Sequence, residues 1–483
     1  MLKSIVKKVA IFGTILAIFS NIFIFTYPSI HPSRCSWDCA ATTKQDNMVL
    51  DGLPMWEKSL YYAKRYIDDV KLQWNQQDQN GINGNNSTTT ATDSDELHIL
   101  TFGDPQIKGI WKNTPYRSRL DIFGNDYYLG HIYSMMKKRL DPSHIVVLGD
   151  LFSSQWVPDN EFYNRTKRYM KRIFNRPYPN ITEIKDSNHD EQGLYKVDWQ
   201  AWGDEFELQN KTKNFGFGYS DVYSWNPDLE DILFVNVTGN HDTGYSGDVT
   251  YQHLARFQQI FGKDNYWIEY NANTEKAWRL VVLNDLLLEG PALQPEFIDY
   301  TWEFLYQLFE RKFNGSTVLV THVPFYKEEG MCVDGPEIGY YPADYEREPY
   351  KAGLLRYQNH IGQETTNKVL NLIFNNDKPG IILVGHDHEG CEVTYNRNSD
   401  SGEWTATRDP ESESKYHIKE ATVRSMMGEF NGNSGLVTGK FNHNLKQWEW
   451  TYTLCPFGIQ HGWWIARVSA LLTGFFWSLY LVL

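Results

Sequence analysis

Six short apolar runs govern what this chain can fold into: LHILTF (97–102), HIVVLG (144–149), ILFVNV (232–237), RLVVLN (279–284), TVLVTH (317–322) and IILVGH (381–386). Each is rich in Val, Ile and Leu and is stopped by a polar turn, the pattern of strands buried on both faces. Helix-like segments separate them at 126–140, 249–261, 295–313 and 365–374. The first stops at Asp141-Pro142, because the residue before a proline is steered out of helical space. Strands and helices in alternation predict an α/β sandwich whose sheets are covered by helices. Two polar, aromatic segments, 175–230 and 327–363, interrupt the alternation as insertions.

The two ends of the chain have a different character. Lys3, Lys7 and Lys8 precede an uncharged apolar run over 9–27, long for a signal peptide and without a small-residue cleavage site. That predicts an uncleaved anchor, with residues 1–8 cytoplasmic and the chain beyond the anchor on the lumenal side. A second membrane helix is expected over 463–483, where Arg467 can snorkel. Between anchor and body, 28–95 reads as a stem, helical over 54–74, then a polar linker over 75–95. The folded domain is expected over 96–455. The net charge of −14 and the absence of a long basic run argue against nucleic-acid binding.

The strand ends carry the chemistry. LHILTF runs into Asp104-Pro105-Gln106, HIVVLG into Asp150, ILFVNV into Gly239-Asn240-His241-Asp242, TVLVT into His322, and IILVG into His386-Asp387-His388. Singly, each has an ordinary reading as a turn residue or a solvated imidazole. Together they occupy the C-terminal ends of buried strands, where α/β sheets place their sites. Carboxylates with neutral imidazoles suit a pair of divalent ions, Mn, Zn or Fe, and a carboxylate such as Asp150 can serve two cations at once. His241 rides beside Asn240, placed to donate a proton.

The order D-x-(H/Q), GD, GNHD, H, GHDH resembles the calcineurin-like metallophosphoesterase superfamily over roughly residues 96–430. The resemblance implies a four-layer α-β-β-α sandwich of two mixed sheets and a two-metal centre. Asp104, Gln106 and His388 would hold one metal, Asn240, His322 and His386 the other, with Asp150 bridging. His241 would be the general acid and Asp242 would orient it. Most members have His where this chain has Gln106, a weaker ligand. The Asp-Pro-Gln variant, an apolar segment at each end and the GDLF and GHDHEGC contexts resemble a narrower family. These are the endoplasmic-reticulum phosphodiesterases that remove ethanolamine phosphate from the mannoses of glycosylphosphatidylinositol (GPI) anchors, chiefly the member acting on the second mannose. That implies a lumenal catalytic domain, a GPI-anchor glycan as substrate, and cargo-export machinery as a partner. Two rival readings are a non-catalytic scaffold or export factor, with Gln106 marking lost metal, and a phosphoesterase for another lipid or nucleotide.

Cysteines and sequons complete the expectations. Of Cys35, Cys39, Cys332, Cys391 and Cys455, a disulfide between Cys332 and Cys391 is expected, since they follow the candidate ligands His322 and His388 by 10 and 3 residues. Glycosylation candidates are Asn86, Asn164, Asn180, Asn210 and Asn314. Asn236 also heads a sequon, but inside an expected buried strand.

Overall fold

The computed structural model describes residues 1–30, 35–37, 95–177, 181–188, 196–218, 230–411, 414–457 and 460–483. The expected helix over 54–74, nearly all of the linker, Cys39, Asn86 and Asn180 lie outside these residues.

All six apolar runs are strands. β1 (Glu96–Phe102), β2 (His144–Val147) and β3 (Leu233–Asn236) pair in parallel, with Ile99 opposite His144 and His144 opposite Leu233. On the other side of β1, the antiparallel pair β13 (Asn433–Asn442) and β14 (Gln447–Pro456) completes a sheet of order β14-β13-β1-β2-β3. The second sheet contains β4 (Tyr266–Tyr270), β5 (Trp278–Val282), β6 (Ser316–Val320), β9 (Gly380–Val384), β10 (Cys391–Arg397), β11 (Trp404–Thr407) and β12 (Tyr416–Thr422). Its order is β11-β10-β12-β9-β6-β5-β4. The 327–363 insertion adds a small hairpin of β7 (Ile338–Tyr340) and β8 (Leu355–Gln358).

Side-chain alternation along the central strands sets the layers. Ile99, Val146 and Val235 point inward and meet Leu280, Val318 and Leu383 of the second sheet. Their neighbours Leu100, Ile145 and Phe234 point outward onto α2 (Tyr116–Leu140) and α3 (Asp159–Arg168), with the π-helical turn Tyr169–Ile173. After the short α4 (Ile181–Ser187) and α5 (Trp199–Thr212) comes α6 (Tyr251–Phe261), whose Phe257 and Ile260 join the same core. Val281, Leu319 and Ile382 point the other way, onto α7 (Pro295–Glu310) and α8 (Gln363–Ile373). The result is the expected α-β-β-α sandwich of two mixed sheets, since each sheet has two apolar faces to cover.

At the ends of the chain, α1 (Leu2–Ile30) and α9 (Gln460–Val482) are each long and apolar enough to cross a membrane. They run antiparallel, joined by hydrogen bonds from Trp477 Nε1 to Thr14 Oγ1 (2.9 Å) and from Asn21 Nδ2 to the Ala466 carbonyl (3.3 Å). Just beyond them Cys35 and Cys455, both fully buried, form a disulfide that sequence spacing did not suggest. Cys332 and Cys391 form a second.

Candidate metal centre

The ligand candidates converge because their loops adopt a backbone that few side chains tolerate. Asp104, Gln106, Asp150 and His386 have φ of 46°, 40°, 48° and 71°, in the left-handed region. Such non-glycine positions cost of order 1 kcal/mol or more and concentrate at functional sites. Two glycines let the loops close. A Cβ on Gly149 would strike the His322 ring, and one on Gly239 would strike the Asp150 backbone.

Asp150 lies at the centre. Its Oδ1 accepts the His241 backbone N–H (2.9 Å) and is 3.4 Å from His322 Nε2, and its Oδ2 accepts from Gln106 Nε2 (2.9 Å). On one side, Gln106 Nε2 also lies 3.1 Å from His388 Nε2, and the Asp104 carboxylate accepts the His386 backbone N–H at 3.2 Å. On the other, Asn240 Oδ1 is 3.0 Å from both His322 Nε2 and His386 Nδ1. All seven expected ligands are therefore gathered in one place around Asp150.

Electrostatics match a cation site. Asp104, Asp150 and His322 each offer a ligand atom within 4.8 Å of the others, all buried. Burial, then the charge of Asp150, holds the Asp104 carboxyl well above the usual carboxylate range. Burial pushes Asp150 up as well, but His241 and His322 outweigh it and the net direction is down. Burial lowers His322 and His388, and lowers His386 to about 3, a direction that favours the neutral imidazole with a free lone pair. The Leu148 carbonyl accepts from His322 Nδ1 at 2.7 Å, which fixes the tautomer and turns a bare Nε2 toward Asn240 and Asp150. Crowded carboxylates beside neutral nitrogens fit divalent metal.

His241 stands apart, with its side chain 38% exposed and Nε2 3.7 Å from Asp150 Oδ2. Its ring is the part of the cluster's His241 loop that solvent reaches. Asp242 corrects an expectation. Its carboxylate accepts backbone N–H groups from Gly239 (2.9 Å), Phe152 (3.1 Å) and Leu151 (3.2 Å), binding the Asn240 loop to the Asp150 loop rather than reaching the His241 ring. Phe430 packs against the His388 ring at 5.0 Å and Tyr245 OH lies 3.4 Å from His386 Nε2. Tyr245 follows GNHD closely, a proximity that could have flagged it; Phe430 had no comparable signal.

The insertions divide. The 327–363 segment rims the site, tied to the strand after His388 by Cys332–Cys391 and to the Asn240 loop by Tyr341 OH and Lys351 Nζ, both donating to Asp248 Oδ1 (2.8 and 3.0 Å). Within 175–230, α5 packs away from it, on Tyr251, Phe297 and Tyr300. Of the described sequons, Asn164 and Asn314 are exposed on the surface, whereas Asn210 is buried and accepts from Lys213 Nζ, so it makes a poor glycosylation acceptor. Asn236 is buried in β3.

Two mixed sheets with this donor set at their strand ends have the arrangement expected of a metallophosphoesterase, a phosphoester hydrolase that uses divalent metal. The chain is 58% identical to protein TED1 of Saccharomyces cerevisiae over 491 residues, 99% of each chain, and it belongs to that protein's family. An uncharacterized protein of Schizosaccharomyces pombe is 26% identical over 78% of this chain and 85% of its own. Metallophosphoesterase 1 of Danio rerio is 27% identical over 65% of this chain and 67% of its own. No family model matches the chain.

Proposed function

We propose that the protein is a phosphodiesterase of the endoplasmic-reticulum membrane that removes the ethanolamine-phosphate branch from a mannose, the second, of GPI anchors. This remodelling would support export of anchored proteins, with cargo-export machinery as a partner. The observation that supports the reading is the buried Asp150 carboxylate, which meets Gln106 through one oxygen and lies near His322 through the other, with His241 exposed beside it. Two divalent cations, manganese or else zinc or iron, would be held by Asp104, Gln106 and His388 and by Asn240, His322 and His386. Bound there, they supply an activated water and neutralise phosphoryl charge. His241 then protonates the departing sugar oxygen, Asp242 keeps the two loops in register, and the disulfide-tied 327–363 segment contacts the glycan.

Mass spectrometry of anchor glycans from cells lacking the protein tests the substrate. A retained ethanolamine phosphate on the second mannose is expected, and an unchanged profile would point to another phosphoester. Elemental analysis tests the rival scaffold reading, which the Gln106 departure favours. About two metals per purified chain are expected for an enzyme; a metal-free chain would support the scaffold.

A further inference from the structure

Helix α2 presents two neighbouring stripes with different fates. Gly124, Tyr128 and His131 meet the ends of the membrane-length helices. The Trp464 ring of α9 lies so close over Gly124 that no Cβ would fit, and the Tyr128 ring meets Trp463 at 6.5 Å. His131 Nε2 lies 3.2 Å from the Ile24 carbonyl of α1, and its ring is 4.9 Å from Phe25. One residue round the helix, Tyr116, Leu120, Phe123 and Tyr127 recur at i, i+4, i+7 and i+11 and so share a face. That face is open, with Tyr116 81% exposed and the other three 43–47%. Trp111, just before the helix, is 46% exposed.

A face of this kind on a water-soluble domain would be charged. Here it adjoins the spans, since Phe123 neighbours the glycine beneath Trp464, and α9 turns exposed Ile465 and Val468 outward from the same end. Its rim is basic although the chain carries −14 overall. Lys108, Lys112, Arg117, Lys171 and Arg172 are exposed around it, against exposed Asp121. The Arg172 guanidinium lies 5.6 Å from the Phe123 ring and 5.8 Å from that of Tyr127. Aromatic rings beside cations are what the interfacial layer of an anionic bilayer favours.

We propose that Trp111, Tyr116, Leu120, Phe123 and Tyr127 form a membrane-resting surface that enters the interfacial layer of the bilayer crossed by α1 and α9. The inference rests on reading those helices as spans, and it deepens the proposed function by specifying a substrate displayed on the membrane. Two routes tie the metal centre to that surface. The segment carrying Asp104 and Gln106 continues through Trp111 into α2. His388 packs on Phe430, in the turn Gly428–Phe430 whose Gly428 lies against Gln460 at the head of α9. A phosphodiester on a lipid-anchored molecule is thereby presented to a domain that cannot lift away.

The test is photocrosslinking in membranes from cells expressing the full chain, with p-benzoylphenylalanine in place of Tyr116 or Phe123. Phe12 and Phe19, exposed on α1, serve as references for the span, and Tyr357 on β8 as an exposed control. Lipid adducts are expected at 12, 19, 116 and 123, and none at 357. Adducts at 12 and 19 without any at 116 and 123 would overturn the resting surface and leave the spans standing. Protein adducts at 116 and 123 would overturn it in favour of a polypeptide partner. Failure at 12 and 19 would remove the spans and the inference together. The glycan experiment is independent of all these outcomes, so the substrate reading can fail separately.

Discussion

Asp242 and His241 are adjacent in the chain and opposite in what their loss should do. Asp242 is buried and supplies the acceptor for three backbone N–H groups from two loops. Asp242→Ala strands those donors, at a cost of roughly 3–5 kcal/mol. A clear fall in Tm is expected together with loss of bound metal, since both metal-bearing loops are released. His241→Ala removes a part-exposed ring that lies 3.7 Å from Asp150 Oδ2 and leaves the backbone N–H bond to Asp150 Oδ1 in place. Turnover should fall about 10²–10⁴-fold, with Tm and metal content close to those of the parent. A His241→Ala chain that retained its activity would remove that residue from the chemistry. A residue-scale pH effect arises from His144, which is remote from the ligands. Burial pushes it down to about 4, while its ring nitrogens contact Ser143 Oγ and Tyr270 OH, each at 2.9 Å. Because the folded-state value lies below the unfolded one near 6.5, its contribution is present above that pH and is lost as pH falls toward 4. Thermal unfolding across this window should show a shallower acid loss in His144→Gln; an unchanged slope would rule out this source.

Among the elements, the hairpin segment 327–363 depends most on a covalent tie. Cys332–Cys391 closes a loop with a sequence separation of 59, which chain-entropy arguments value at about 4 kcal/mol. The double variant Cys332→Ser/Cys391→Ser is expected to lower Tm and to speed amide exchange across β7 and β8, while amides of β1, β2 and β6 stay protected. Uniform exchange changes would show that the tie stabilises the whole domain instead. The central strands were legible because each is a continuous apolar run, and the ligands were legible because they fall at those runs' ends. β13 and β14 were not, since NSGLVTGKFN is buried along most of its length yet has few apolar residues, and QWEWTYTLCP alternates polar and apolar residues. Nor does a sequence display dihedral angles, so the left-handed turns at Asp104, Gln106, Asp150 and His386 came only with the structure. The resemblance implied that Asp242 orients His241, whereas the turn aims its carboxylate at backbone amides.

For the whole molecule, the antiparallel pairing of α1 and α9 puts the first and last residues at the same end of the helix pair, as the approach of Lys3 and Lys7 to the Tyr480 ring also shows. Epitope tags at the two termini should therefore be digested together by protease added outside sealed microsomes, while the metal-bearing domain stays protected. Digestion of one tag alone would break the pairing. The bond between Cys35 and Cys455 spans 420 positions and leaves only short tails outside it. Topologically the protein is a closed ring from which the two membrane-length helices extend. A single nick anywhere in the ring, including within the long polar connection before β1, would then release nothing until the disulfide is reduced. The last strand, by the same token, is fastened only after the 420 positions that separate the two cysteines have been made, so Cys35 waits for Cys455.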